Sequence, residues 1–352
     1  MAARAHGCRY QNLRDHLLAE IVAGGYRPGD RIPTEQQLIQ AHDTSITTVR
    51  RAIAELCAAG WLVKQQGSGT FVTEKLVEVG LIFPYPSAEW GSAIEQMSRH
   101  LLENRVELRP YFYDWLDPAA FRQRLLTASA RGQGCIIFPP YGSADALAGP
   151  AAAPGQPRIW LEQRPDQPEQ TLVAVDYRAA FGELWAALGR SGRQAAALVD
   201  VGHPTAAGLR EACLAGGMAK ERVVSGSFHD SRENVARAIE GLLRLRPTPD
   251  AVICPTSGIL LKTHAVLRSL GIRVPDTIEL AAAGELAVLA GLAVPLWAIA
   301  LPRRELAQAA AARFLAELRG PARPAVVTVP GRLVYLEGGG VFEQRPSPTA
   351  PG

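Results

Sequence analysis

A chain of 352 residues with 47% hydrophobic and 20% charged residues is long enough for roughly two or three globular domains, and its composition excludes fibrous and disordered classes. The formal net charge is only +3, which excludes an overall basic field, so any contact with nucleic acid must come from a local patch. No run of about eighteen apolar residues occurs, so no membrane span is expected. The start, MAARAHGCRY, lacks the apolar stretch of a signal peptide. The five cysteines, at 8, 57, 135, 213 and 254, are scattered and odd in number. That pattern points to reduced thiols in a cytoplasm rather than a disulfide frame or metal site. No metal and no cofactor is expected.

In chain order, residues 10–21 read as a helix whose stripe of Leu13, Leu17, Leu18 and Ile21 should pack on a later helix, with Gly24-Gly25 ending it. Pro28-Gly29-Asp30 forms a turn. A second helix starts at Pro33-Thr34, where Thr34 can cap the first turn and Gln37 can reach back in a capping box. It carries Leu38 and Ile39 and ends near His42-Asp43. Thr44 or Ser45 starts a third helix, with Val49, Ile53 and Leu56 toward the core and Thr47, Thr48, Arg50 and Arg51 outward. Gly60 stops it. Trp61–Val63 and Thr70–Val72 read as short strands joined by Gln65-Gln66-Gly67-Ser68-Gly69. Two helices joined by a tight turn, the second with short polar and basic residues outward, suit the major groove, and a glycine-tipped hairpin suits a wing. A small α+β domain with a Thr-rich exposed helix shares that spacing, but the PGDRIPTE opening and GSGTFV ending favour DNA binding.

Through these motifs the segment from Tyr10 to Val72 resembles the winged-helix domain of the GntR family of bacterial transcription regulators. The match rests on Pro28-Gly29-Asp30-Arg31-Ile32-Pro33-Thr34-Glu35, on Ser45, Thr48, Val49 and Arg50, and on Gly67-x-Gly69-Thr70. The resemblance implies DNA contacts from Arg31, Thr34 and Glu35, from Ser45, Thr47, Thr48, Arg50 and Arg51, and from the wing. The wing residues are Lys64, Gln66, Gly67, Ser68, Gly69 and Thr70. Three departures stand out: Ile46 replaces the family's arginine after Ser45, Thr44 replaces the hydrophobic residue before that serine, and the basic pair before the wing is thinned to Lys64-Gln65.

After the polar link Thr73-Glu74-Lys75 the pattern changes. Strands are expected at residues 77–83, 106–113, 134–138, 158–161, 172–175, 195–200, 223–226, 251–254, 278–283 and 297–301. Helices are expected at 92–104, 117–131, 181–191, 205–216, 232–245, 259–270 and 304–318. Apolar strands alternating with helices of this length imply two α/β lobes built on parallel sheets covered on both faces. Residues 149–157 read as a loop, and the GGG followed by RPSPTAPG reads as a disordered tail.

The local residues carry a second resemblance. Val79-Gly80-Leu81-Ile82-Phe83-Pro84, Gly134-Cys135-Ile136-Ile137-Phe138-Pro139, Val173-Ala174-Val175-Asp176, Leu188-Gly189-Arg190-Ser191-Gly192, Thr248-Pro249-Asp250-Ala251-Val252 and Leu270-Gly271-Ile272-Arg273-Val274-Pro275-Asp276 occur in an order similar to the effector-binding part of LacI-family regulators. That part shares its fold with periplasmic sugar-binding proteins, and a GntR-type head before it resembles the arabinose-repressor-like branch. The implied fold is an α+β winged helix-turn-helix head joined to a two-lobed α/β effector domain of the periplasmic-binding-protein-like type I. The implied boundaries are 1–73 for the head, 74–78 for the linker, 79–340 for the effector domain and 341–352 for the tail.

In that fold a ligand sits between the lobes at the C-terminal strand ends. The family's ligand-binding arginine falls here on Thr205, its Asn-Asp pair on Ser257-Gly258 and its Asp-Asp pair on Gly284-Glu285. The bidentate grip on sugar hydroxyls is mostly gone. Candidate effector contacts are Tyr85, Trp90, Tyr141, Glu162, Asp176, His203, Thr205, Ser257 and Glu285. No phosphate loop, nucleophile elbow or metal-spaced His/Cys/Asp cluster is present, so no enzyme is expected. Three functions remain: a ligand-responsive repressor, a DNA-binding regulator with a degenerate pocket, and a solute receptor, which the head argues against. The favoured reading is a cytoplasmic homodimer that binds a pseudo-palindromic double-stranded DNA operator and a small effector other than a simple sugar, away from any membrane.

Overall fold

The computed structural model describes residues 2–85, 88–114, 117–140, 156–164, 170–200, 204–225, 232–292, 294–320, 324–338 and 340–343. The head consists of helices α1 (Ala2–Ala23), α2 (Glu35–His42) and α3 (Ile46–Ala58) and the hairpin β1 (Leu62–Gln65) and β2 (Gly69–Val72). Leu13, Leu17 and Ile21 of α1 and Val49, Ile53 and Leu56 of α3 bury the apolar stripes that their spacing dictates. The capping box at α2 forms as expected: Gln37 N–H donates to Thr34 Oγ1 (3.3 Å) and Thr34 N–H donates to Gln37 Oε1 (2.8 Å). Asp43, at φ 43° in the left-handed region, ends α2, and Ser45 caps α3. β1 and β2 pair antiparallel from Leu62↔Val72 to Gln65↔Gly69.

Residues from Val77 onward build two sheets. The first lobe contains β3 (Val77–Pro84), α4 (Ala88–Glu103), β4 (Val106–Tyr113), α5 (Pro118–Arg131), β5 (Cys135–Ile137), β6 (Arg158–Leu161) and β7 (Thr171–Asp176). The second contains α6 (Tyr177–Arg190), β8 (Ala196–Asp200), α7 (Pro204–Ala215), β9 (Val223–Ser225), α8 (Arg232–Leu243), β10 (Ala251–Cys254), α9 (Ser257–Ser269), β11 (Glu279–Gly284), α10 (Leu286–Ala290) and β12 (Leu296–Ala300). Helix α11 (Arg303–Arg319) and β13 (Val326–Pro330) then return to the first lobe, and β14 (Arg332–Glu337) and β15 (Gly340–Phe342) go back to the second. The first sheet has the order β13-β7-β6-β5-β3-β4 and is parallel throughout. The second has the order β15-β14-β12-β11-β10-β8-β9, with β14 and β15 antiparallel.

The chain therefore crosses between lobes at Asp176-Tyr177, at Leu301-Pro302 and at Gly331. A Cβ at Gly331 would lie 3.3 Å from Ile299 Cγ2 and 3.4 Å from Val175 Cγ1, so the crossings run against one another. In the second lobe the fully buried Glu279 accepts from Arg193 Nε–H (3.2 Å) and Trp297 Nε1–H (3.0 Å), which satisfies an otherwise costly buried charge. Buried Cys213 and Cys254 thiols are both pushed up to about 12 by desolvation. No described helix is long and apolar enough to cross a membrane.

Three departures from the sequence reading concern the ends of elements. Strands β13 to β15 were not anticipated: their glycines and prolines read as breakers, whereas Pro330 closes β13, Gly331 joins β13 to β14 and Gly340 opens β15. Val341 and Phe342, expected in the tail, lie in β15, and residues 344–352 fall outside the described residues. Val77 and Glu78, which the domain bounds gave to the linker, open β3, where the apolar pattern itself placed a strand from residue 77.

The remaining link is tied down. Arg105, left-handed at φ 62° in the turn between α4 and β4, donates from Nη2 to the carbonyls of Thr73 (2.7 Å) and Lys75 (3.0 Å). Lys75 Nζ donates back to the Ala59 carbonyl (2.5 Å) and sits 5.3 Å from the Trp61 ring centre. Partial burial pushes the Arg105 guanidinium below its ordinary value. Leu17 and Val72 of the head and Val77 and Leu101 of the first lobe lie in one continuous apolar cluster. Arg105→Met keeps the stem and the backbone conformation but removes both bonds. It should cost about 1.5–3 kcal/mol in chemical denaturation and speed proteolysis near residue 74. Unchanged values for both would mean that the clamp does not hold the head.

Candidate DNA interface and effector cleft

Helix α3 presents Ile46, Thr47, Arg50, Arg51 and Ala54 to solvent and buries Thr48, Val49, Ala52, Ile53 and Leu56. Thr48 was expected to face outward, but it is only 6% exposed. At 3.6 residues per turn it shares a face with Ala52, and its Oγ1 lies 2.9 Å from Ser45 Oγ, which also accepts from Thr48 N–H (3.2 Å). Thr34, Ser45 and Thr48 thus build helix starts.

The charges on this face are coupled. Glu35 accepts from Arg50 Nε–H at 2.8 Å and lies 3.6 Å from Lys64 Nζ, so one carboxylate joins the first turn of α2, helix α3 and the wing. The hydrogen bond from Arg50 holds the Glu35 carboxyl below its ordinary value. Arg51 is drawn toward α1 instead, with its guanidinium carbon 3.9 Å from the Tyr10 ring centre and its Nε 3.6 Å from Glu55. A groove of about 560 Å³ runs between wing and α2, lined by Arg31, Thr34, Glu35, Lys64, Gln66 and Thr70 among others. Gly67 (φ 78°) turns the hairpin, with Ser68 N–H donating to the Gln65 carbonyl (3.0 Å). Gly69 has a local reason to be glycine: its φ is 129°, and a Cβ there would lie 2.4 Å from Arg31 Nε.

At the C-terminal strand ends of the first lobe, Phe83, Trp90 and Phe138 form an aromatic wall with ring centres 5.1–5.5 Å apart. Arg303, the first residue after the second crossing, places its guanidinium carbon 5.4 Å from the Trp90 ring centre. Glu162 follows β6 in the left-handed region (φ 64°) and accepts weakly from Val175 N–H (3.4 Å). Burial of its carboxyl pushes the pKa up to about 7, against the opposing pull of the Val175 amide, Arg303 and Tyr177. Tyr177 is itself buried, and Gly208 makes room for it, since a Cβ there would lie 2.6 Å from Tyr177 Cδ2.

Of the expected effector residues, Trp90 and Glu162 therefore lie around one charged centre. Asp176 caps α6, accepting from Ala179 N–H (3.1 Å). Tyr85 is 64% exposed and stacks on Phe112 of the edge strand β4. Ser257 and Glu285 follow the adjacent strands β10 and β11 at the same end of the second sheet, Ser257 buried and Glu285 half-buried. Tyr141 and His203 lie outside the described residues, as does the side chain of Thr205. Arg303 and Tyr177 were missed. A basic residue directly after Pro302, and a tyrosine directly after Asp176, were the available signals, but only the crossings bring them to Glu162.

The architecture is that of a winged-helix head carried on a two-lobed, cleft-type α/β module. Residues 9–72 match the family described as bacterial regulatory proteins, gntR family, and residues 188–336 match the periplasmic binding protein-like domain. Among curated relatives, the "Probable fructoselysine utilization operon transcriptional repressor" of Escherichia coli K12 is 33% identical over 109 residues, 30% of this chain and 45% of that protein. The arabinose metabolism transcriptional repressor of Geobacillus stearothermophilus is 43% identical over 65 residues, 18% of each chain. The chain thus spans less than half the length of these relatives. Among solved structures, a LacI family regulator from Arthrobacter sp. FB24 in complex with lactose superimposes with a TM-score of 0.56 at 19% identity, covering 73% of this chain and 97% of that one. A LacI family regulator from Clostridium acetobutylicum gives 0.54 at 17%, covering 74% and 100%. The chain thus joins a segment that matches the gntR-family model to one that matches the periplasmic binding protein-like domain, on a fold shared with these solved structures.

The enclosed acid makes stability depend on pH. Glu162 ionises at about 7 in the folded chain against an ordinary value of 4.5. Its contribution is fully present below the lower value and is lost as pH rises through the upper one. At about 1.4 kcal/mol per pKa unit, the shift sets an upper limit of about 3.5 kcal/mol. Denaturation from pH 5 to 8 should show the parent losing stability relative to Glu162→Gln. Parallel curves would remove the assignment.

Proposed function

We propose that this protein is a sequence-specific DNA-binding transcription regulator, a repressor, whose DNA affinity answers to a small molecule held between the lobes. The observation that supports this reading is the pairing in one chain of a cap-locked helix α3, whose exposed Arg50 shares Glu35 with Lys64 of the hairpin, and a two-sheet α/β module whose crossings bring Arg303 to Trp90 and Glu162. Arg50, Thr47 and Lys64 contact bases or phosphates, and Arg31, Gln66, Ser68 and Thr70 follow the groove beside the wing. Glu35, Thr34, Ser45, Thr48, Gly67 and Gly69 shape that surface, and Arg51 adds charge at its edge. The chain acts as a cytoplasmic homodimer, since one head covers only a half-site and a two-fold pair reads a pseudo-palindrome. It carries out no catalysis.

Closure of the lobes on a ligand changes the placement of the two heads. Trp90, Tyr85 and the Glu162–Arg303 centre suit a ligand with an apolar face and an ionic or strongly hydrogen-bonding group. Tyr141, Asp176, His203, Thr205, Ser257 and Glu285 are the further candidates to reach it. Several relatives are named as repressors of histidine or fructoselysine utilisation, which fits a polar metabolite. A ligand-independent regulator with a degenerate pocket is the second reading, favoured by Ser257-Gly258 and Gly284 and by the use of Asp176 as a helix cap.

Arg50→Ala should weaken operator binding by about 1–3 kcal/mol in gel-shift titrations while leaving the fold intact, because the side chain is exposed. Parental affinity would sink the recognition-helix assignment. Each missing charge-assisted pair at the sugar-binding positions removes about 1.5–3 kcal/mol. Common monosaccharides should therefore show no micromolar binding by calorimetry. A monosaccharide that binds tightly and releases DNA would place the pocket elsewhere.

A further inference from the structure

Ile46 is the first residue of α3 and is 41% exposed. Among the described residues of the head, only Ile46 and Val63 are large hydrophobic side chains standing so far into solvent. Val63 lies at the base of the hairpin, whereas Ile46 lies on the helix face that holds the exposed cation. Ile46, Arg50 and Ala54 recur at four-residue spacing and form one stripe, with Thr47 and Arg51 beside it. Buried Thr48 and the Ser45 cap fix the first turn, so the direction of Ile46 is set. Its branched Cβ further restricts the side chain on a helix. Arg50, one turn on, is held by Glu35, which leaves the isoleucine flank uncovered.

This inference rests on the DNA-binding reading above. The N-terminal residues of a recognition helix are those that approach base edges in the major groove. An isoleucine has neither donor nor acceptor. The apolar feature that the four bases offer in that groove is the C5-methyl group of thymine. We infer that Ile46 reads a thymine methyl in each half-site, with Arg50 anchoring the neighbouring step. A 5-methylcytosine offers the same methyl, so the recognised chemistry is a C5-methylpyrimidine, and ordinary DNA supplies it as thymine.

The test uses the full chain. Duplexes are selected from a random library, and each thymine of the selected site is then replaced in turn by deoxyuridine, which removes the methyl alone. At one position per half-site this should lower parental affinity about three- to tenfold, the scale of one buried methyl. Ile46→Ala should bind the thymine and uracil duplexes equally. It should keep its fold, because the position is exposed and alanine favours a helix. Placing 5-methylcytosine at the sensitive position should recover more of the parent's affinity than cytosine does. Selection of a defined site with no uracil effect at any thymine overturns the inference alone, as does an equal uracil penalty in parent and Ile46→Ala. Failure to enrich any sequence overturns the DNA-binding reading and this inference together.

Discussion

The Arg105 guanidinium carries the connection between the head and the first lobe. It reaches from the α4–β4 turn to the carbonyls of Thr73 and Lys75, and Lys75 in turn holds the carbonyl at the end of α3. Linker carbonyls that would otherwise face water are thereby satisfied by an enclosed cation, in the charge-assisted bonds that contribute most. The apolar cluster running from Leu17 through Val72 to Leu101 makes the junction a packed one.

The two lobes are tied together by repeated crossings of the chain. Three crossings lie side by side at Asp176-Tyr177, Leu301-Pro302 and Gly331, and two of them deliver side chains to the same centre. Tyr177 arrives with the first and Arg303 with the second, and both act on Glu162. The hinge and the candidate ligand site are therefore built from the same residues. Under the proposed function, a ligand placed between Trp90, Arg303 and Glu162 would act on the electrostatic balance beside the crossings.

The DNA face follows a similar economy. Glu35 holds Arg50 and Lys64 together, so cations from the recognition helix and the wing are pre-positioned rather than free to wander. Its carboxylate also removes net positive charge from the face, consistent with a chain of formal charge +3 that lacks a general attraction for phosphates. Specific contacts must then supply what the general field does not.

The sequence by itself determined the head closely, because its signals are local. The Thr34 capping box, the Ser45 cap, the Val49, Ile53 and Leu56 spacing and the glycine turn of the wing each act within a few residues. Alternating apolar runs and helices likewise determined two α/β lobes. Only the tertiary structure decided what depends on long-range contact. Thr48 turned inward because its face of α3 meets the core, and Gly69 takes a φ of 129° that side chains rarely adopt, with the Arg31 side chain lying over it. Strands β13 to β15 became visible only as partners for β7 and β12, since a strand between glycines gains stability from pairing rather than from its own propensity. Arg303 and Tyr177 came to Glu162 because the chain crosses the hinge repeatedly, and no spacing within one segment encodes which crossing meets which strand end.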